Sequence, residues 1–274
     1  MTASLDPAGL LAIAEAAVDG VEDTFRAGLG ARPARFKGEG DFATDIDLAI
    51  ETQLRQTLTQ LTGIRVFGEE FGGAEAADGS YTTEGLENET VWVVDPVDGT
   101  ANYSAGNPMC GILVALVHEA NPVVAVASFP LLGRRVAAAE GVALRSVGGP
   151  AAGFGGGEDA LGFEDSRGHV GCSSHLRTAI YQHLRHTGLR PRMSGSVGLD
   201  SAFVAQGVFD GALNFSQHPW DNAAGALLVK AAGGVVTDVD GNEWTAHSRG
   251  LVVGTPQVHA TLLDAIQAGA ARGA

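Results

Sequence analysis

Apolar residues recur at helical spacing through Leu10, Leu11, Ile13, Ala14, Ala17, Val18 and Val21, which predicts an opening helix over residues 5–29. Asp6-Pro7 is its start signal. The period returns over 44–61 through Ile46, Ile50, Leu54, Leu58 and Leu61. IRVFGEE then reads as a short strand ending in acid. Residues 72–90 are rich in Gly, Ala and acid, have no period, and predict a loop. Strands follow quickly at 91–95, 110–118, 122–129 and 135–140, with Asn121-Pro122 as a turn. Their spacing predicts hairpins, so part of this sheet is antiparallel. GGPAAGFGGGEDA at 148–160 predicts a connector between an N-terminal half, 1–150, and a C-terminal half, 151–274. The second half predicts strands at 169–173, 190–194, 210–215, 235–237 and 251–253. Helices are predicted at 175–187, 196–208, 221–233 and 256–270. This is α/β organisation with helices layered on sheets.

Composition narrows the function. The chain has 274 residues, enough for one large domain or two fused halves. Hydrophobic residues at 45% against 18% charged predict a packed globule rather than disorder. A net charge of −15 leaves no basic face for nucleic acid or an anionic membrane. Cys110 and Cys172 form no motif, which fits a reducing cytoplasm. The N-terminus lacks a basic n-region, and the longest clean apolar run, Gly111 to Val117, is too short to span a bilayer.

Four segments end apolar elements with acid: Asp41-Phe42-Ala43-Thr44-Asp45-Ile46-Asp47, Gly68-Glu69-Glu70, Asp95-Pro96-Val97-Asp98-Gly99-Thr100, and Trp220-Asp221-Asn222-Ala223-Ala224-Gly225. Each alone has an ordinary explanation. Asp221 suits a helix N-terminus, and Thr44 with Asp47 suits a capping box. Glu69-Glu70 suits a solvated turn. VVDPVDGT resists that treatment. Asp95 ends a strand-forming run, and Pro96 stiffens the turn that follows. Asp98 can fold back beside Asp95, and two carboxylates that close need a proton or a cation between them. Hard oxygen ligands suit Mg²⁺. Gly99 admits a ligand to the backbone, and Thr100 adds a hydroxyl. Carboxylates for metal beside amides for phosphate make a metal-assisted phosphate site.

DPVDGT, GEE and WDNAAG, in that order, resemble the inositol monophosphatase family of Mg²⁺-dependent phosphatases. KGEGDFATDID resembles its K-x-x-x-D-x-x-T-x-x-D element, and GSVG followed by WDNAAGALLVKAAGGVVTD resembles its C-terminal half. The resemblance spans essentially the whole chain and implies the αβαβα sugar-phosphatase fold with mixed sheets. It implies two or three Mg²⁺ per site. Glu70, Asp95 and the carbonyl of Val97 would hold the first, and Asp95, Asp98 and Asp221 the second, with Asp95 bridging. Glu70 and Thr100 would orient the attacking water, and Asp47 would support Thr100. Asp41 would be a further acidic neighbour. Asp98, Gly99, Thr100, Gly195, Ser196, Asn214 and Asp221 would meet the substrate. The family is often homodimeric and lithium-sensitive.

The reaction expected is hydrolysis of a phosphate monoester, with inositol 1-phosphate first among substrates. Fructose 1,6-bisphosphate, histidinol phosphate and a phosphoadenosine nucleotide follow. A non-catalytic phosphosugar-binding regulator and a structural dimer module are the competing classes. The sequence departs from the family at Asn214, where inositol phosphatases usually carry a glutamate that contacts substrate hydroxyls. VAAAEGVALRSVGGP also departs from the family's Gly-x-Gly-Ala and Asn-Gly pattern. Eight histidines show no metal-ligand spacing, although His218 stands near Trp220-Asp221. His183 and His186 read as solvated or core positions, and Ser173 and Ser174 follow a strand toward substrate. Nothing resembles a nucleophile elbow. The 72–90 loop reads as a variable surface loop or as a lid beside Glu70.

Overall fold

A computed structural model describes residues 5–38, 41–72, 86, 88–149, 168–174 and 176–271. Most of the predicted 72–90 loop and of the 148–160 connector lies outside the described residues, as does His175. The chain runs α1 (Pro7–Ala27), β1 (Pro33–Gly38), β2 (Asp41–Thr44), α2 (Asp45–Thr62), β3 (Val66–Gly68), β4 (Thr90–Asp98) and α3 (Thr100–Ser104). It continues with β5 (Gly111–His118), β6 (Asn121–Phe129), β7 (Arg134–Ala139), β8 (Val142–Val147), β9 (His169–Cys172), α4 (Thr178–His186) and β10 (Arg190–Arg192). The remainder is α5 (Val197–Ala205), β11 (Gly211–Asn214), α6 (Pro219–Ala231), β12 (Val235–Thr237), β13 (Leu251–Gly254) and α7 (Pro256–Ala271).

Five layers stack as αβαβα. The six-stranded sheet has the order β3-β4-β5-β6-β7-β8, parallel only between β3 and β4. The five-stranded sheet has the order β10-β9-β11-β13-β12, with β9 parallel to both neighbours and β13 antiparallel to both of its own. Both sheets are therefore mixed. On one face of the larger sheet, α1 and α2 bury Leu11, Val18, Phe25, Ile50, Leu54 and Leu58 against Trp92, Val94, Ile112 and Val114. Its other face packs Val93, Leu113 and Ala125 against Leu199, Ala223, Leu227 and Leu228 of α5 and α6. The same two helices touch the smaller sheet from inside. Its outer face is closed by α4 and α7 through Ile180, Leu184, Val258 and Leu262. Alternate residues of β4 serve different layers, which is why the run VWVV is apolar on both faces.

Some elements exceed the pattern. β1 and β2 form a separate hairpin. The unusual VAAAEGVALRSVGGP segment still closes a hairpin, β7 to β8, across Gly141 at φ 72°. Cys110 and Cys172 are buried free thiols. Among the described residues, no helix is long and apolar enough to cross a membrane.

Candidate active site

Asp95 and Asp98 are three residues apart, so a regular strand would point them to opposite faces. The ladder slips between them: Asp95 pairs with Leu113, and Asp98 with Gly111. The extra residue is a bulge, which re-aims the side chain beyond it. Pro96 fits there because it has no N–H to leave unpaired. The Val97 N–H donates to Asp95 Oδ1 at 3.0 Å and closes the turn.

Glu69 arrives by strand register. β3 lies parallel to β4 with Gly68 beside Val94, and the Glu69 N–H donates to the Val94 carbonyl at 3.2 Å. That places Glu69 next to Asp95, and its charge acts on Asp95, Asp98 and Asp221 alike. The sequence reading put Glu70 among the ligands. The structure brings Glu69 to the three aspartates and turns Glu70 toward Lys37, whose Nζ lies 2.8 Å from Glu70 Oε1 and 2.7 Å from Glu69 Oε1. The other oxygen of Glu70 is buried with no hydrogen-bond partner among the described residues. Glu51 of α2 fixes this turn by accepting the Glu70 N–H at 2.7 Å, the Phe71 N–H at 3.2 Å and Arg55 Nη2 at 2.8 Å. Arg55 also donates to the Gly72 carbonyl at 2.9 Å, so the turn is gripped from both sides.

The capping box of α2 does two jobs. Asp47 Oδ2 accepts the Thr44 N–H at 3.0 Å and the Thr44 hydroxyl, as a helix start requires. Its Oδ1 faces the Thr100 hydroxyl at 3.1 Å. Thr100 Oγ1 also lies 3.0 Å from the Val97 carbonyl. A hydroxyl has one proton, so bonding Asp47 leaves that carbonyl open to a cation. Of Asp41, the structure places the backbone, at the start of β2.

Asp98 joins the two halves. Its Oδ1 accepts the Val197 N–H at 3.1 Å, and its Oδ2 accepts the Gly198 N–H at 3.0 Å and the Ser196 hydroxyl. It thereby caps α5 from outside that helix. Gly99 has φ 85°, and a Cβ there would lie 3.1 Å from the Gly195 carbonyl, so these two turns meet backbone to backbone. Asp221 stands in the first turn of α6, where its Oδ2 accepts the Ser216 hydroxyl.

Burial is the first cause of every shift in this cluster. It drives Asp95 well above the ordinary carboxylate range, and the charges of Glu69, Asp98 and Asp221 add to it. Asp221 is pushed up to about 8 by burial and then by Glu69. Asp98 rises to about 6, held back by its three hydrogen bonds to Ser196, Gly198 and Val197. Glu70 rises to about 7 through burial, with Lys37 opposing. Carboxylates so placed favour a bound proton or cation. The oxygens that could hold a metal are those of Glu69, Asp95, Asp98, Asp221 and the Val97 carbonyl. This is hard oxygen chemistry and fits Mg²⁺. Among the described residues, no three His, Cys, Asp or Glu side chains already stand as a coordination shell. Lys37, Ser196, Ser216 and a Glu69–Asp95 contact take up their oxygens instead.

Beside the acids opens a cavity of about 710 Å³, whose walls include Ser173, Ser174, Gly195, Ser196, His218 and Asp221. Ser173, Ser174 and His218 thus line that cavity. The His218 ring stacks on Trp220 at 4.5 Å. Asn214 is placed differently. It is 5% exposed and outside these walls, with Nδ2 donating to Asn222 Oδ1 at 2.9 Å and Oδ1 accepting the Ser216 N–H at 3.0 Å. Sequence reasoning read Glu69 only as part of a solvated turn and gave no role to Lys37 or Asp200. The GEE and KGEG motifs contain the first two, but only strand register decides which glutamate faces Asp95.

The model of the inositol monophosphatase family matches residues 8–270. The chain belongs to that family. It is 40% identical over 273 residues to inositol-1-monophosphatase ImpA of Mycolicibacterium smegmatis, covering 96% of this chain and 95% of that one. It is 33% identical over 251 residues to a histidinol-phosphatase of Mycobacterium tuberculosis, covering 84% and 88% of the two chains. The fold matches the crystal structure of extragenic suppressor protein suhB from Bartonella henselae with a TM-score of 0.78 at 23% identity, over 94% of this chain and 98% of that one. As a member of the inositol monophosphatase family, the chain is a phosphoric monoester hydrolase.

Proposed function

We propose that this enzyme hydrolyses the phosphate monoester of a small polyol, inositol 1-phosphate foremost, and that it requires Mg²⁺. The observation that carries the reading is the meeting of Glu69, Asp95, Asp98 and Asp221 beside a polar cavity. Glu69, Asp95 and the Val97 carbonyl would hold one ion, and Asp95, Asp98 and Asp221 a second. Bound Mg²⁺ would supply charge neutralisation at phosphate oxygens and acidify water.

The chain's own groups do the rest. A water proton is accepted at Thr100 Oγ1 while the Thr100 hydroxyl gives its own proton toward Asp47 Oδ1. Glu69 orients the same water, a role that first fell to Glu70. Glu70 and Lys37 position Glu69 from behind. Gly99 and Thr100 approach the phosphate, and Gly195 and Ser196 line the alcohol side. A metal-free site would repel a phosphate dianion, so the acidity accords with an anionic substrate only when cations are bound. The net charge supports a small-molecule partner rather than nucleic acid. We place the enzyme in the cytoplasm as a homodimer. The histidinol-phosphatase relative supports a second reading, an amino-alcohol phosphate.

Glu69→Gln and Glu70→Gln distinguish the two glutamates. In phosphate-release assays, E69Q should raise the Mg²⁺ concentration for half-activation roughly 10-fold or more beyond any rise in E70Q. A larger rise in E70Q would return the metal to Glu70.

A further inference from the structure

One wall of the cavity is Asp200, in the first turn of α5. It is 5% exposed, and its Oδ1 meets no hydrogen-bond partner among the described residues. Burial pushes it up to about 8, with the Ser194 hydroxyl opposing and the Asp98 charge adding. Room for this side chain is made by Gly171 of β9, where a Cβ would come within 2.6 Å of the Asp200 Cβ and Cγ. An acid is thus seated in a fitted recess with one oxygen unspent, which costs desolvation and returns nothing in the free protein. Such a group earns its place by meeting a ligand. Asn214, the position expected to touch substrate hydroxyls, has both ends of its amide engaged with Asn222 and Ser216.

We propose that Asp200 recognises the alcohol portion of the substrate, its Oδ1 hydrogen-bonding a ring hydroxyl of a phosphorylated polyol. This rests on the phosphatase reading above. A hydroxyl both donates and accepts, so either form of the acid can bind it. An ester without such hydroxyls leaves Oδ1 unpaired and gains nothing from it, which makes Asp200 a source of selectivity.

The test is steady-state phosphate release by wild type, Asp200→Ala and Asp200→Asn with Mg²⁺. Substrates are inositol 1-phosphate, p-nitrophenyl phosphate and histidinol phosphate. D200A should raise KM for inositol 1-phosphate roughly 10-fold more than KM for p-nitrophenyl phosphate, with kcat following less. D200N should recover part of that difference; if D200A does not fold, D200N alone should show a smaller rise of the same selectivity. Equal effects on both esters, or none on either, overturn the proposal. A loss greatest for histidinol phosphate overturns it in favour of an ammonium partner. Wild type that releases phosphate from no ester overturns the phosphatase reading itself, and this inference with it.

Discussion

Asp95→Asn is expected to lower Mg²⁺-dependent turnover at least about 100-fold while leaving the fold intact. Asp95 is the acid on which the others converge: Glu69, Asp98 and Asp221 all act on its charge. It would hold both ions, so its loss would weaken both. The local structure has no reason to fail. An Asn oxygen can still accept the Val97 N–H now held at 3.0 Å by Asp95 Oδ1. Asn is neutral, as burial and its acidic neighbours press Asp95 to be in the metal-free protein, so the melting temperature should hold or rise. Loss of turnover together with loss of folding would mean that Asp95 is structural. Near wild-type turnover would remove it from the metal site.

The second large effect is on stability. Asp98 at about 6, Asp221 at about 8 and Glu70 at about 7 all lie above their ordinary ranges, and burial is the leading cause in each. The folded state therefore keeps protons that the unfolded chain releases near pH 4. Their contribution to stability is full below about pH 4 and is lost as pH rises toward about 8. The metal-free protein should melt lower at pH 8 than near pH 5.5. Bound Mg²⁺ would take the place of the protons on Asp98 and Asp221, so its stabilisation should run the opposite way. At about 100 times its dissociation constant, an ion adds roughly 2.7 kcal/mol, or roughly 5–10 °C in a chain of this size. Differential scanning fluorimetry with EDTA or Mg²⁺ at both pH values measures this. A Mg²⁺ shift no larger at pH 8 than at pH 5.5 would count against the acid cluster as its site.

Much of this site is local in sequence and therefore legible there. DPVDGT carries its strand, its stiff turn and two acids within six residues, and the Thr44–Asp47 box announces both a helix start and a carboxylate held in place. The layered fold follows from alternating apolar runs. What was hidden depends on distant pairing. Glu69 faces Asp95 because β3 runs parallel to β4 with Gly68 beside Val94, a register set across 26 residues. GEE alone does not contain that information. Asp200 carries no signal in the sequence, because its recess exists only where β9 brings Gly171 against it. Asn214 looked available because the partners of its amide, Asn222 and Ser216, lie on the following turn and helix. Short elements also escaped. α3 has five residues, too few to show a helical period, and β8 alternates half-buried with exposed positions through Arg145 and Ser146 at the sheet's edge.

The most direct measurement is phosphate release from inositol 1-phosphate by the purified 274-residue chain, first in EDTA and then across a Mg²⁺ titration. Turnover should be absent in EDTA and should rise with Mg²⁺ to a plateau. Turnover in EDTA equal to that in Mg²⁺, or no phosphate released at any Mg²⁺ concentration, would contradict the proposal that these acids form a metal-dependent phosphatase site.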